Sequence, residues 1–420
     1  MPASNHPMAA PIRLLTAVPI CDGHDSAINT INLEFIRHGI EVVYLGYHRS
    51  ARDIVRAAIQ EDVRAIGISS YNGGHVEFFA EVIDLLKKQR AAHIGVFGGG
   101  GGTITKRDAA VMMRKGVDRI FFAGTPLAEV VDFVKKRYGA DSGVTRAILP
   151  ARAQGGMASR RPMLATRRAS APSQVLRDAK SSGPRTILPA GFSASRAELR
   201  PMLIGVTGPG GAGKTTLIDE LVLRFLTKNP RARIAILSHD PSIIGKGALL
   251  GDRATMIYSQ DDRVFMRSLA THGQAGGLSP ESARWLHTMK GGGFDVVFVE
   301  TVGIGQEALP FRRGLVDKSI FVMSPDYGSR LQLQKIVMLD AADIVVVNKG
   351  DLAGATTAVA EIEQRLAVNR RSQRVPATVA NRHRGPVTRT LLSAPSVIAT
   401  VAKRHRDPGV DELFALLASG

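Results

Sequence analysis

Residues 208–215 read Gly-Pro-Gly-Gly-Ala-Gly-Lys-Thr, the spacing G-x-x-x-x-G-K-[ST] that cradles a polyphosphate. The small residues Gly208, Gly210, Gly211, Ala212 and Gly213 let backbone N–H groups approach phosphate oxygens. A helix opening at Lys214 would add the favourable partial charge of its N-terminus. Lys214 is placed to reach the β- and γ-phosphates, Thr215 to coordinate Mg²⁺ through its hydroxyl, and Thr216 closes the motif.

A second signal stands 132 residues further on. Asn348, Lys349, Gly350 and Asp351 follow the apolar run Asp343–Val347 and fit N-K-x-D. A carboxylate at Asp351 accepts from the ring N–H and amino group of guanine, and adenine offers the wrong donor pattern. Between the two motifs, Phe294–Val299 reads as a buried strand ending at Glu300, where an acid ordinarily holds Mg²⁺ through water. Gly303 could bring a backbone N–H to the γ-phosphate. Asp240, after the strand Arg233–Ser238, is a second candidate for the metal shell, and Asp252 with Arg253 lies in a glycine-flanked loop suited to a switch. Helix capping is the other reading of Asp240 and Asp252. Lys214, Asp252 and Glu300 are the expected catalytic set.

These residues need a parallel sheet to hold them. Residues 1–138 alternate candidate strands at Ile12–Val18, Glu41–Leu45, Ala65–Ser69, His93–Phe97 and Asp118–Phe122 with amphipathic helical stretches. That alternation implies right-handed βαβ units and a flavodoxin-like (Rossmann-type) α/β domain of five strands. Residues 139–200, rich in Arg, Ala, Ser, Pro and Gly without sustained period, read as a disordered linker. A second α/β domain, a P-loop NTPase, is expected over 201–420, poorly patterned at 369–407, where Ser393-Ala394 is a weak candidate for the base-pocket loop.

The net charge of +18 is not spread evenly. Residues 1–140 carry 17 basic against 14 acidic side chains and 201–353 carry 17 against 15, while 141–200 carry 11 against 3. The excess sits outside the patterned regions, which argues against a nucleic-acid-binding face. No run of 18 uncharged apolar residues indicates a membrane span, and the first residues lack the pattern of a secretory signal. The single cysteine, Cys21, fits a reducing cytoplasm.

Residues 202–353 resemble the GTPases associated with methylmalonyl-CoA mutase. The shared pieces are the P-loop, Ser238–Ser242, Gly251–Arg253, Arg267–Ala270, Gly276–Leu278, Glu300–Gln306 and Asn348–Asp351. That family gates cobalamin loading onto acyl-CoA mutases, and the resemblance implies phosphate and Mg²⁺ contacts for Lys214, Thr215, Asp240, Asp252 and Glu300. Thr255 departs from it, since an arginine is usual there. Residues 1–138 are similar to the cobalamin-binding domain of the mutases: Asp22-Gly-His24-Asp-Ser-Ala27 matches Asp-x-His-x-x-Gly except at Ala27, Ser69 falls at the family's spacing, and Gly98–Gly102 supplies the glycine-rich element. The resemblance implies that His24, oriented by Asp22, ligates the cobalt of adenosylcobalamin, while Ser69, Gly98 and Gly99 line the slot for the nucleotide tail.

The order of modules resembles the N-terminal part of the fused isobutyryl-CoA mutases. About 70 residues remain after Asp351, too few for the roughly 250 of a substrate-binding barrel, so isomerase activity would require a separate subunit. The expected partners are GTP or GDP, an acyl-CoA mutase subunit or domain and, in one arrangement, a second copy of the chain as a homodimer. The competing reading is a truncated, non-catalytic remnant that only binds cofactor or nucleotide. Abrupt loss of pattern at 139–200 and 369–407 also has the look of reading-frame slips.

Overall fold

The computed structural model describes residues 11–19, 26–71, 73–100, 102–139, 200–242, 246–274, 276–303, 311, 315–327, 338–373 and 395–419. Nearly all of the expected linker, the loop with Asp22 and His24, and Ser393-Ala394 lie outside them.

In the first half, strands β1 (Arg13–Ala17), β2 (Glu41–Tyr44), β3 (Ala65–Ser69), β4 (Gly95–Gly100) and β5 (Arg119–Phe122) alternate with helices α1 (Ser26–Arg37), α2 (Ala51–Gln60), α3 (His75–Lys88), α4 (Lys106–Lys115) and α5 (Leu127–Tyr138). All pairings are parallel, in the order β5-β4-β3-β1-β2. The strands are buried along their length because helices cover both faces. Phe35 of α1 and Val130, Val131 and Val134 of α5 pack on one face. Ile54 of α2, Phe79 and Val82 of α3 and Met112 of α4 pack on the other. Local signals set the helix starts: the Ser50 hydroxyl accepts from Asp53 N at 3.2 Å, and Thr105 with Asp108 forms a capping box.

The second half comprises β6 (Met202–Thr207), α6 (Lys214–Lys228), β7 (Ile234–Asp240), β8 (Ala248–Leu250), α7 (Asp252–Thr255), β9 (Val264–Ala270), α8 (Ser282–Lys290), β10 (Val296–Glu300), β11 (Lys318–Met323), α9 (Met338–Ala341), β12 (Ile344–Val347), α10 (Ala355–Gln373), β13 (Ser396–Ala399) and α11 (Pro408–Ala418). Seven strands form a parallel sheet in the order β13-β12-β11-β6-β10-β7-β9. Leu217 and Leu221 of α6 and Val410 and Leu413 of α11 pack on one face. Trp285 and Met289 of α8 and Ile362 of α10 pack on the other.

The first sheet differs from the expected five strands. Its sixth, β8, comes from the second half and pairs parallel with β2, Glu41↔Ala248 through Val43↔Leu250. Ala248 and Leu250 join the core of the first half together with Ala270. Around this graft lies a buried ion-pair cluster. Arg13 reaches Glu41 at 3.0 Å and Glu61 at 2.8 Å, and Arg253 reaches Glu61 at 3.1 Å. Removing one member would strand a buried charge at about 3–5 kcal/mol.

Candidate functional site

The P-loop leaves β6 at Thr207 and enters α6 at Lys214. Gly208 has φ +142°, and a Cβ there would sit 1.9 Å from the Val322 carbonyl oxygen, so only glycine fits the turn. Lys214 is buried, and its ammonium donates to the carbonyls of Gly208 and Pro209, both at 3.1 Å. Burial pulls its pKa down, against the negative charges of Glu300 and Asp252. Thr215 donates its hydroxyl to Glu300 at 2.7 Å. Gly210 and Gly211 are exposed at the loop tip, Ala212 is buried, and Thr216 is exposed on α6. Gly303 lies against the loop: a Cβ there would be 2.5 Å from Gly210 Cα.

Three carboxylates face this end of α6. Asp240 ends β7, Asp252 opens α7 and Glu300 ends β10. Ser238 links two of them, donating to Asp252 and lying 3.4 Å from Glu300. Burial, then the charge of Asp252, pushes Glu300 up to about 8. Burial also raises Asp240, with Asp252 and Glu300 adding to the effect, and it raises Asp252. Asp240 Oδ2 is buried with no hydrogen-bond partner. Capping does not account for Asp252, since α7 has no side-chain cap bond. A divalent cation would satisfy the orphaned oxygen and return these acids to their charged forms. Among the described residues no three acid, His or Cys side chains form a ready-made metal cage. Mg²⁺ needs none, because it keeps waters and shares its shell with substrate phosphates.

The base end is organised by Asn348. Its amide nitrogen donates to the Ala212 carbonyl at 2.9 Å, while its oxygen accepts from Thr400 Oγ1 at 3.1 Å and Ala402 N at 3.0 Å. Lys349 sits in the left-handed region with φ +60°. Asp351 is exposed and pairs with Lys403 at 2.5 Å, which holds its carboxyl below the ordinary range. The strand β13 and the loop Thr400–Lys403 thus complete the second sheet and stand beside the N-K-x-D turn, within a stretch expected to be poorly patterned.

In the first sheet, a cavity of about 370 Å³ opens at the C-terminal strand ends. Ser69, Gly98 and Gly99 line it with Thr16, Ile28 and Phe35. Gly98 has a packing reason as well: a Cβ would meet the Ile68 carbonyl oxygen and the Phe79 ring at 2.5 Å each. An apolar slot with a hydroxyl at its rim fits the tail of a large organic cofactor.

Sequence reasoning missed Ser238 and His239 as site residues. His239 is buried, and burial pulls its pKa down to about 4. The neutral ring donates from Nδ1 to the Glu300 carbonyl at 2.6 Å, and its Nε2 lies 2.7 Å from the Ser282 hydroxyl. It thereby pins the end of β10. Its position one residue before Asp240 was the available signal.

A P-loop with a guanine-type turn on one parallel sheet, and a mostly apolar cavity at the strand ends of another, define a nucleotide-hydrolase module joined to a cofactor-binding module. The chain belongs to the methylmalonyl-CoA mutase-associated GTPase MeaB family, which residues 187–418 match over more than half of its length. Residues 12–131 match the B12 binding domain. The chain is 36% identical over 408 residues to the fused isobutyryl-CoA mutase of Geobacillus kaustophilus, spanning 91% of this chain and 36% of that protein. It is 38% identical over 375 residues to the fused isobutyryl-CoA mutase of Cupriavidus metallidurans, spanning 86% and 32% respectively. Over 150 residues it is 36% identical to the methylmalonic aciduria type A homolog, mitochondrial, of Mus musculus, 35% of each chain. The chain therefore spans about a third of the length of the fused proteins it matches. No helix among the described residues is long and apolar enough to cross a membrane.

Proposed function

We propose that this chain hydrolyses GTP to GDP and phosphate with Mg²⁺, and that the nucleotide state gates adenosylcobalamin held by the first domain on behalf of an acyl-CoA mutase. The observation that carries the reading is the Asp240–Asp252–Glu300 set facing Lys214 and Thr215, with Glu300 buried, the two aspartates half-buried and one buried Asp240 oxygen lacking any partner.

Mg²⁺, when bound, supplies positive charge shared between these acids and the β- and γ-phosphates. The chain's own residues do the rest. Backbone N–H groups of Gly210, Gly211, Ala212 and Gly213 surround the phosphates, and Lys214 exchanges its two loop carbonyls for phosphate oxygens. Thr215, Asp240, Asp252 and Glu300 would hold the metal, directly or through water. Gly303, packed on Gly210, offers its N–H to the γ-phosphate. Water's oxygen bonds to the γ-phosphorus as the bond to the β,γ-bridging oxygen breaks. GDP leaves with that electron pair, and the water's proton passes to phosphate or solvent. The accumulating charge is stabilised by Lys214 and the loop dipoles. Asp351 accepts from guanine, with Asn348 and Lys349 framing the base.

For the first domain, Ser69, Gly98 and Gly99 line the tail slot. His24, oriented by Asp22, is assigned as the cobalt ligand on the sequence pattern alone. The partner is an acyl-CoA mutase subunit or domain, which would carry the isomerisation, and a second copy of this chain is a further candidate partner.

Two measurements test the proposal. Phosphate release from GTP should fall to background in Lys214→Ala, a loss of at least about 10²-fold; equal rates would remove the hydrolase assignment and favour the remnant reading. Titration with adenosylcobalamin should give the spectrum of the base displaced by histidine, absent in His24→Ala. Parental binding by that variant would overturn the ligand assignment.

A further inference from the structure

The segment between Asp240 and Asp252 belongs to the GTPase half, yet its residues 248–250 form β8 of the other sheet. Both of its ends are acids of the nucleotide site. Its middle is held by the cobalamin-binding half: Gly247 N donates to Ile36 O at 3.0 Å, and three register pairs join β8 to β2.

Immediately after Asp252 comes Arg253, whose side chain is fully buried. Its Nε donates to Glu61 at 3.1 Å, and one terminal nitrogen donates to Gln60 at 2.9 Å and to the Met266 carbonyl at 2.6 Å. Glu61 also accepts from Ser268 N at 3.0 Å and from Arg13 at 2.8 Å. Gln60 additionally donates to Val264 O at 3.0 Å. Outside the buried cluster, Arg49 donates to Ala254 O at 2.8 Å. Two residues at the end of α2, in the domain that does not carry the P-loop, thus fix the backbone from which Asp252 projects.

We infer that Glu61, seconded by Gln60, is a positioning residue of the GTP site, acting through Arg253 to hold Asp252 where the metal and γ-phosphate are bound. The cobalamin-binding domain then contributes to the nucleotide site without touching the nucleotide. The inference rests on the proposed function, since it assumes that Asp252 serves Mg²⁺·GTP. By reciprocity of linked binding, Mg²⁺·GTP held by Asp252 must in turn bias β8 and the strand beside it.

The test compares the full chain with Glu61→Gln, Arg253→Met and the double variant. Each is first checked for a wild-type circular dichroism spectrum and a single cooperative melt, whose midpoint should fall because the cluster loses a buried partner. The readout is the Mg²⁺ concentration giving half-maximal binding of a fluescent, slowly hydrolysed GTP analogue. Each single variant should need about tenfold more Mg²⁺, the effect of losing one charged hydrogen bond. The double variant should need about tenfold rather than about a hundredfold more, because the two residues act as one link. Glu61→Asp should recover part of the loss, which a purely bulk-packing role would not produce.

Should Glu61→Gln not fold, Gln60→Met keeps the side-chain length while removing one acceptor of Arg253. Hydrogen exchange on the wild type needs no variant at all: amides at 248–250 and 41–44 should slow when Mg²⁺ and the analogue are added. A folded Glu61→Gln with wild-type Mg²⁺ dependence, or exchange at β8 indifferent to nucleotide, overturns the inference alone. A wild type that binds no GTP analogue overturns it together with the proposed function.

Discussion

Gly213 is the second invariant position of the phosphate-loop pattern, and the structure gives it a reason apart from phosphate. Its φ is +88°, where an alanine costs about 1–2 kcal/mol. A Cβ would also sit 2.3 Å from Asn348 Nδ2, so the amide must withdraw by about 1 Å to reach ordinary contact. That amide holds three bonds at once, to Ala212 O, Thr400 Oγ1 and Ala402 N. Spoiling two of them leaves buried groups unsatisfied at about 1–3 kcal/mol each. Gly213→Ala should therefore cost about 3–8 kcal/mol in urea denaturation followed at the GTPase domain. Asn348→Ala deletes the obstacle together with its bonds. In the double variant the added cost of Gly213→Ala should then shrink to the backbone strain, with a coupling of at least about 1.5 kcal/mol. Additivity within about 0.5 kcal/mol would refute the steric account, and Gly213 would have to be explained by phosphate approach alone.

Asp351→Asn should weaken GTP by about 10- to 100-fold, since a charged acceptor for guanine is lost; xanthosine triphosphate, with a carbonyl where guanine has its amino group, should gain. Competition against a fluorescent GDP reads both, and unchanged base preference would remove Asp351 from the pocket. Asp219 of α6 accepts from Ile257 N at 3.0 Å and Tyr258 N at 2.9 Å, yet burial pushes its carboxyl from 3.8 up to about 6. A folded-state value above the unfolded one means that this group's contribution is complete below 3.8 and is lost as pH rises through about 6. Nucleotide-free melting temperature should carry a falling component across that window, and Asp219→Asn should flatten it; an equal slope in the variant would reassign the effect.

The phosphate loop and the two βαβ alternations were legible because their signals are local. A glycine with φ +142° or a run such as Val296–Glu300 must look the same wherever it occurs. Ala65–Ser69 matches the expected strand residue for residue. What stayed hidden depends on partners far away in the chain. Ala248–Leu250 is three residues long, below the length at which alternation is readable, and its partner β2 lies some 200 positions earlier. Arg253 read as a switch-loop residue. Its burial follows from Glu61, which no window containing Arg253 includes. Thr400–Lys403 was obscured by an Arg-rich flank, although Ser396–Ala399 is an ordinary strand against β12.

The placement of the graft constrains how the two sites can communicate. Arg13 and Glu41 are the first residues of β1 and β2, so the buried ion-pair cluster sits at the N-terminal edge of the cobalamin-binding sheet, while Arg49, beyond the C-terminal end of β2, reaches Ala254. The cavity opens at the opposite, C-terminal edge, beyond Ser69 and Gly99. Strands of this length separate the edges by about 15 Å, and a close-packed parallel sheet resists bending between them. Helix α1 offers the other route. Its last full turn carries Ile36, whose carbonyl accepts from Gly247 at the root of β8, and its first turns carry Ala27, Ile28 and Ile31 on the cavity wall. A helix of 12 residues is a rigid strut about 18 Å long. Displacing one end moves the other by a similar amount, whereas the sheet spreads the same push from β2 across the remaining strands. A shift of β8 should therefore reach the cofactor pocket along α1, and the side chains to watch are the small and branched ones on its first two turns.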